Sequence, residues 1–266
     1  MQVARPTTLA EALDALDADP TATVLAGGTD LMVAVTYGRR RPASVVAVRR
    51  VEELREWEGT FIGAGTTWAR IEKDGPRALA QAARTVGSPQ IRAAGTIGGN
   101  LGTASPAGDG LPFLAAVDAS IILESRRGGR RVLPWDRFLT GPKQNALAPG
   151  EVIVGIELPA RIPARQEFAK VGQRNAMVIA IASACLVRDE DGSTRIALGS
   201  VGPTPIRAPR AEEMISAERR PSAAAVEEFG RLVAAEVSPI TDHRSTEAYR
   251  RHAAGVLARR LLERCL

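Results

Sequence analysis

Val24-Leu25-Ala26-Gly27-Gly28-Thr29-Asp30-Leu31 runs from an apolar stretch through two adjacent glycines into a second apolar stretch. Residues 21–26 predict a short strand, and residues 30–37 predict a brief helix. Because glycine has no Cβ, the turn between them can adopt positive φ and bring successive backbone N–H groups close to an anion. For one such pair alone, an ordinary strand-to-helix turn is the preferred interpretation.

A second glycine pair lies in Thr96-Ile97-Gly98-Gly99-Asn100. The surrounding residues, 87–106, show no helical period and are predicted to form a loop. Ordered loops of this length inside compact domains are usually functional. Two glycine nests in one chain therefore predict a diphosphate that is held from both sides.

Other nucleotide-binding motifs are poorly supported. After Gly63-Ala64-Gly65, Trp68 stands where a dinucleotide fingerprint needs its third glycine, and the chain has no Gly-Lys-Ser/Thr of a P-loop. Gly63 and Gly65 are therefore interpreted as structural residues at the end of a strand.

The few possible metal ligands argue against a metal site. Cys185 and Cys265 are the only cysteines among 266 residues, and the chain has two histidines. An iron–sulfur cluster needs about four cysteine ligands, and a structural zinc site needs about four cysteine or histidine ligands. We expect no metal in this chain, and Cys185, within an apolar run, is predicted to be a buried thiol in a core strand.

The net charge of +5 comes from dispersed arginines, many of them interleaved with acidic residues. Aromatic residues make up 4% of the chain, and no nucleic-acid-binding motif is present, so the arginines predict a solvated surface or a protein interface. No apolar run approaches the roughly 20 residues that span a bilayer. The start of the chain also lacks the apolar stretch of a secretory signal, and we expect a cytoplasmic protein.

The order of predicted elements indicates an α+β fold. A βαβ-like unit with a parallel sheet is expected first, then a hairpin across Gly128-Gly129, and then a proline-containing linker at 159–165. Long strands and three helices follow the linker, which predicts an antiparallel sheet covered by helices. The predicted domains are 1–160, with subdomains of about 1–55 and 56–160, and 166–266. Further predictions are strands at 44–48, 60–65, 151–158, 167–171, 177–187 and 194–201, and helices at 76–86, 111–117, 209–217, 222–236 and 246–264.

The two glycine loops, in this order, resemble the flavin-binding stretches of the molybdenum hydroxylase flavoprotein family. This family comprises the medium subunits of aerobic carbon monoxide dehydrogenase and the FAD portions of xanthine dehydrogenases. The resemblance continues through Ala104-Ser105-Pro106, Asp109, residues 151–159, Phe168-Ala169-Lys170 and Tyr249-Arg250-Arg251, and so covers nearly the whole chain. It implies an FAD-binding domain of two α/β subdomains, then a helix-covered antiparallel-sheet domain, with FAD in the cleft between the two domains.

The resemblance also implies a set of cofactor-binding residues. Both glycine loops would surround the FAD pyrophosphate and ribityl chain, with hydroxyl donors on Thr29 and Thr96. Asp109 matches a cofactor contact and is also expected to cap the helix that begins at Leu111. Lys170 matches a position near the flavin, and Val86 stands where some relatives carry an aromatic residue near the flavin ring. The implied residues are Val24, Leu25, Ala26, Gly27, Gly28, Thr29, Asp30, Leu31, Val86, Thr96, Ile97, Gly98, Gly99, Asn100, Ser105, Asp109, Ile153 and Lys170; no catalytic side chain is predicted.

By the same resemblance, the chain is expected to be an electron-transfer subunit. Its FAD would receive single electrons from a 2Fe-2S small subunit, in a complex with a molybdopterin-binding large subunit, and pass a pair to NAD, a quinone or dioxygen. A stand-alone FAD oxidase or dehydrogenase acting on a small organic substrate is the alternative. A third interpretation, a scaffold that has lost its flavin, is disfavoured by the intact glycine loops, Asp109 and Lys170.

Overall fold

The computed structural model describes residues 1–266. It begins with a parallel three-stranded sheet in the order β1-β3-β2, which confirms the predicted parallel unit. The first helix starts at a capping box, in which Thr8 and Glu11 satisfy each other's backbone N–H groups. The elements of this part are β1 (Gln2–Ala4), α1 (Leu9–Ala18), β2 (Thr23–Leu25), α2 (Leu31–Thr36) and β3 (Ser44–Ala47).

The middle of the chain forms a five-stranded antiparallel sheet in the order β4-β5-β10-β6-β7. The predicted hairpin is confirmed, because residues 120–125 pair with 129–134 across the turn. The sheet strands are β4 (Trp57–Glu58), β5 (Phe61–Gly63), β6 (Ser120–Ser125), β7 (Gly129–Pro134) and β10 (Glu151–Glu157), and a separate pair is β8 (Leu139–Gly141) and β9 (Gln144–Asn145). The helices are α3 (Trp68–Asp74), α4 (Arg77–Arg84), α5 (Pro89–Ala94), α6 (Ile97–Thr103), α7 (Leu111–Ala116) and α8 (Trp135–Phe138).

The prediction of a loop without helices over 87–106 is wrong, because α5 and α6 lie within it. Each has a hydroxyl cap: Ser88 accepts a hydrogen bond from the N–H of Ile91, and Thr96 accepts one from the N–H of Gly99. Glycine has the lowest helix propensity of any residue except proline. The glycines of α6 also interrupt the apolar periodicity from which a helix is predicted, and so this helix was missed. The caps were the signal that could have revealed both helices.

The C-terminal part is an antiparallel sheet in the order β11-β12-β13-β14, with three helices after it, as the fold class predicts. Both faces of the sheet are covered: α4 and α7 lie against one face, and α11 packs on the other. Every residue of β12 is consequently buried, including Cys185, and burial raises the pKa of its thiol. The elements are β11 (Arg165–Val171), β12 (Ala182–Arg188), β13 (Thr194–Gly199), β14 (Ile206–Arg207), α9 (Pro209–Ser216), α10 (Ala223–Glu236) and α11 (Glu247–Arg264).

The strand predicted from residue 177 begins at Ala182 instead. Met177 has a φ of +49°, which is outside the extended region of a strand. The carbonyl of Val178 accepts a hydrogen bond from Lys170 Nζ at 3.0 Å and not from a neighbouring strand. Residues 177–179 therefore form part of a loop, and this loop reaches the cleft described below.

None of the helices combines the length and the apolar character that crossing a membrane requires. Nor does any group of three His, Cys, Asp or Glu side chains converge in a way that could hold a metal ion.

Candidate functional site

The first glycine loop offers free backbone donors. The N–H groups of Gly27, Gly28, Thr29 and Asp30 donate no hydrogen bond within the chain, and all four residues line one large cleft. Gly28 has a φ of +73°, which glycine adopts at no steric cost. The loop therefore has the free amides and the left-handed backbone of an anion-binding nest.

In the second glycine loop the amides of both glycines already donate hydrogen bonds within the chain. The N–H of Gly98 donates to the carbonyl of Ala64 at 2.8 Å, and the N–H of Gly99 donates to Thr96 Oγ1 at 3.0 Å. A Cβ on Gly98 would lie 2.5 Å from the Cβ of Ala64, so this glycine serves close packing. Free amides are therefore present at the first loop and not at the second, where the amides of Gly98 and Gly99 are already bonded to Ala64 and Thr96.

The backbone of the first loop lies directly against the segment that leads into the second loop. A Cβ on Gly27 would lie 1.9 Å from the carbonyl oxygen of Ala94, and a Cβ on Gly95 would lie 3.2 Å from Thr29 Oγ1. Side chains at these glycines would separate the segments, because atoms cannot approach so closely. Glycine at both positions therefore allows the cleft to have a continuous wall made from both loops.

The cleft has a volume of about 1470 Å³ and runs mainly between residues 16–55 and 64–153. Only Met177, Val178 and Ile179 line it from the C-terminal part, so it does not lie chiefly between the N- and C-terminal domains as expected. All the predicted cofactor residues line it except Ile97 and Lys170. Ile97 belongs to the hydrophobic core, where its side chain is fully buried.

Lys170 does not line the cleft, but it binds Asp109, which does. Its Nζ lies 2.6 Å from Asp109 Oδ2 and also donates to the carbonyl of Thr85 at 2.9 Å. Both side chains of the ion pair are less than a tenth exposed. Burial raises the pKa of the Asp109 carboxyl, and the Lys170 ammonium opposes that rise. The pair therefore fixes the carboxylate of Asp109, a residue that lines the cleft.

The prediction that Asp109 caps the helix at Leu111 is wrong. Gly110 is the N-cap residue of α7, and it makes no side-chain cap. Asp109 instead uses Oδ2 for Lys170 and for Thr85, whose hydroxyl lies 3.3 Å away. Its Oδ1 is buried and has no partner in the chain.

Asn100 has a similar unpaired atom. Its Oδ1 is buried without a hydrogen bond, and the residue lines the cleft beside the second loop. Buried polar atoms normally have partners, so each of the two orphaned oxygens is suited to a donor on a ligand. Three other predicted residues form apolar or small-residue parts of the lining: Val86, Ser105 and Ile153.

Several lining residues were not predicted from the sequence. Arg39, Arg40, Arg49, Arg50 and Arg55 lie along the cleft, although the arginine pairs were interpreted as solvated surface or protein interface. Their closeness in sequence to the first glycine loop was the available signal. Free amides, basic side chains and orphaned oxygens in one large cleft suit a protein that holds an anionic cofactor, and FAD fits this description.

Comparison with known proteins identifies the family. Residues 1–161 match the family model described as the FAD binding domain in molybdopterin dehydrogenase, and residues 167–265 match the CO dehydrogenase flavoprotein C-terminal domain. The chain belongs to this family: it is an FAD-binding subunit of the molybdenum hydroxylase type and an oxidoreductase.

Its relatives match over most of their length. The nicotinate dehydrogenase FAD-subunit of Eubacterium barkeri is 37% identical, over 79% of this chain and 77% of the relative. The carbon monoxide dehydrogenase medium chain of Hydrogenophaga pseudoflava is 30% identical, over 91% and 88%. A solved structure of carbon monoxide dehydrogenase from the same organism superposes with a TM-score of 0.91, covering 100% of this chain and 96% of that chain, at 30% identity.

Proposed function

We propose that this chain is the electron-transfer subunit of a molybdenum hydroxylase-type dehydrogenase. FAD held by this chain would connect a 2Fe-2S subunit, which assembles with a molybdopterin-binding large subunit, to an external electron acceptor such as NAD, a quinone or dioxygen. The run of free amides from Gly27 to Asp30 in the large cleft is the observation that carries the proposal. When bound, FAD supplies the one- and two-electron chemistry that links such donors and acceptors.

The first loop binds the pyrophosphate in this proposal. Its four N–H groups donate no hydrogen bond within the chain, and the arginines at 39, 40, 49 and 50 line the same cleft. Backbone nests and guanidinium groups are both suited to phosphate oxygens. Residues 24–31 would thus fix the charged middle of the cofactor.

The second loop and the ion pair orient the rest of the cofactor. Gly99 faces little but Thr96 Oγ1, 3.2 Å from the position of its missing Cβ, so a ligand can approach the backbone there. Asn100 Oδ1 and Asp109 Oδ1 are acceptors with no partner, and each can take a hydrogen bond from a cofactor O–H or N–H group. Lys170 keeps Asp109 in place, and Val86 and Ile153 add apolar surface to the lining of the cleft. We therefore assign to the FAD site the residues predicted above, with Lys170 and Ile97 acting from behind the cleft surface.

The electrons must arrive from another chain under this proposal. Cys185 and Cys265 are both buried, and no group of side chains could hold a metal. The domain division at 160 and 166 is part of the same proposal and is supported by the boundaries of the two family matches.

Spectroscopy on separated components tests the proposal. Expressed alone, the chain should be yellow and contain FAD without iron. Mixing with its reduced 2Fe-2S partner should bleach the flavin absorbance, whereas small organic substrates alone should not. Turnover of an organic substrate by the chain alone would contradict the proposal and favour a stand-alone oxidase or dehydrogenase. A colourless chain that takes up no FAD would contradict the cofactor assignment.

A further inference from the structure

One part of the cleft is bordered by exposed apolar side chains. Ile91 of α5 is 37% exposed, and Met177 and Ile179, in the loop before β12, are 55% and 52% exposed; all three line the cleft. Val86, which is partly buried against the neighbouring core, lines it as well. We call these four residues the apolar rim. Exposed apolar residues that cluster mark an interaction or ligand-binding site.

Hydrogen bonds and close packing bring the segments of the apolar rim together. Lys170 Nζ donates to the carbonyls of Thr85 and Val178, at 2.9 and 3.0 Å, so the end of α4 lies beside the loop before β12. A Cβ on Gly87 would lie 2.7 Å from Ile91 Cγ2, so α5 packs against the chain that leaves α4. The rim is therefore one continuous feature, although its residues are up to about ninety positions apart in the sequence.

The charged side chains of the cleft lie apart from the apolar rim in the sequence. None of the basic residues that line the cleft belongs to the segments that form the rim; they are Arg39, Arg40, Arg49, Arg50, Arg55 and Lys143. The charged group beside the rim is the carboxylate of Asp109, which is already bound to Lys170.

The arginines that are close to the rim in sequence are not available in the cleft. Arg92 pairs with Glu72 at 2.8 Å, and Arg174 donates to carbonyls of its own loop. Neither side chain lines the cleft, and nor does that of Arg84, in the last turn of α4. A ligand at the rim therefore meets apolar side chains and no free cation.

We propose that the electron acceptor is an uncharged quinone, which reaches the reduced cofactor across the apolar rim. This inference rests on the function proposed above and selects one class of acceptor from it. A quinone ring is planar and apolar, so Ile91, Met177 and Ile179 lose exposed apolar surface when it binds. A pair of electrons and a pair of protons pass from the reduced FAD to the quinone. Both quinone carbonyls become hydroxyls, the hydroquinone leaves, and oxidised FAD remains.

The assignments made above place the flavin ring beside the rim. The first glycine loop takes the pyrophosphate, and the next part of the cofactor towards the ring is the ribityl chain, which carries hydroxyl donors. These donors suit the unpaired acceptors Asn100 Oδ1 and Asp109 Oδ1. Asp109 is bound through Oδ2 to Lys170, which also holds the loop before β12. The ring beyond the ribityl chain therefore lies at the rim.

Two other acceptors fit the rim less well. NAD carries its own pyrophosphate, which needs free amides or cations, and those that line this cleft are assigned to FAD. Dioxygen is small enough to reach a flavin without an apolar surface, so it leaves the exposure of Met177 and Ile179 unexplained.

Stopped-flow reoxidation of the FAD-loaded chain tests the proposal. The chain is photoreduced in the absence of oxygen and mixed with naphthoquinone, and the return of the flavin absorbance is followed. We expect a rate that saturates with naphthoquinone concentration. Ile179→Glu should lower the rate at subsaturating naphthoquinone by about tenfold, because a charge replaces an apolar contact. Its FAD content and its reoxidation by dioxygen should equal those of the wild type.

Two further variants serve as controls. Ile179→Leu keeps the apolar contact and should react like the wild type. Ile240→Glu introduces the same charge at an isoleucine that is 68% exposed and does not line the cleft, and it should also react like the wild type.

NADH provides an independent test for a nicotinamide site. If NADH bound beside the flavin ring, it would bleach the oxidised flavin by hydride transfer. We expect no bleaching when the oxidised, FAD-loaded chain is mixed with NADH in the absence of oxygen.

Each other outcome overturns the proposal. Bleaching by NADH would assign the acceptor to NAD, and faster reoxidation by dioxygen than by saturating naphthoquinone would assign it to dioxygen. A naphthoquinone rate that does not saturate, or that is equal in Ile179→Glu and the wild type, would show that the rim binds no quinone. Loss of FAD from Ile179→Glu would place this residue in the cofactor site. An FAD-loaded chain that its reduced 2Fe-2S partner does not bleach would contradict the proposed function, whatever the quinone result.

Discussion

The two glycine loops contain the same Gly-Gly pair but use it differently. In the first, Gly28 takes a left-handed conformation, and four successive N–H groups stay free in the cleft. In the second, Gly98 lies in a helix against Ala64, and the amides are already bonded. A glycine pair therefore indicates a close approach to the backbone but does not identify what approaches it. At the first loop it is a ligand in our proposal, and at the second it is another part of the chain.

Charge close to the second loop comes from side chains. Asp109 and Lys170 form a buried ion pair there, whereas the first loop presents free backbone amides in a cleft that exposed arginines also line. This difference predicts that substitutions at the ion pair act mainly on stability, and that substitutions at the first loop act mainly on FAD binding.

Lys170→Met should have the largest effect on stability. Removal of one partner of a buried ion pair leaves an uncompensated charge and costs about 3–5 kcal/mol. Denaturant unfolding of the chain measures the loss. Asp109→Asn, added to Lys170→Met, should restore part of it, because the amide needs no cation. Equal stability of wild type and Lys170→Met would show that the pair contributes nothing to the fold.

The loss in Lys170→Met should depend on pH. Burial already raises the pKa of Asp109 in the wild-type chain, and without the ammonium nothing from Lys170 opposes that rise. The folded variant then binds more protons than the unfolded chain, so its stability falls as pH rises above the ordinary aspartate pKa of about 3.9. Unfolding curves of the variant should therefore show a smaller loss at acidic pH than at neutral pH.

Gly98→Ala should have a smaller effect on stability, and it tests the packing role of the second loop. The added methyl group would lie 2.5 Å from Ala64 Cβ and 2.7 Å from its carbonyl oxygen. Overpacking of this kind costs about 1–3 kcal/mol. Gly102→Ala is the matched control in the same helix, since its nearest neighbour outside the helix would be Ile153 Cδ1 at 3.8 Å. The control should gain up to about 1 kcal/mol from helix propensity. Similar stabilities of the two variants would contradict the packing role of Gly98.

The sequence predicted those parts of the fold and site that depend on neighbouring residues. The parallel unit, the hairpin at Gly128-Gly129 and the buried Cys185 follow from local periodicity and turn chemistry, and the structure confirms them. The helices within 87–106 were missed because glycines conceal helical period. Local sequence patterns do not predict contacts between residues that are far apart in the chain, and so the ion pair between Asp109 and Lys170 was not foreseen. The arginines along the cleft are exposed, as expected of a solvated surface, but their place beside the first glycine loop was not foreseen for the same reason.

If the first glycine loop holds the FAD pyrophosphate, as we propose, the flavin content of one pair of variants will show it. Gly28→Val and Gly59→Val both place a β-branched residue where φ is positive, +73° and +55°. Gly28 lies in the cleft, whereas Gly59 lies outside it and has open space around the position of its Cβ. Gly28→Val should purify folded and almost without FAD, while Gly59→Val should keep the wild-type ratio of FAD to protein. Full flavin content in folded Gly28→Val would contradict this proposal.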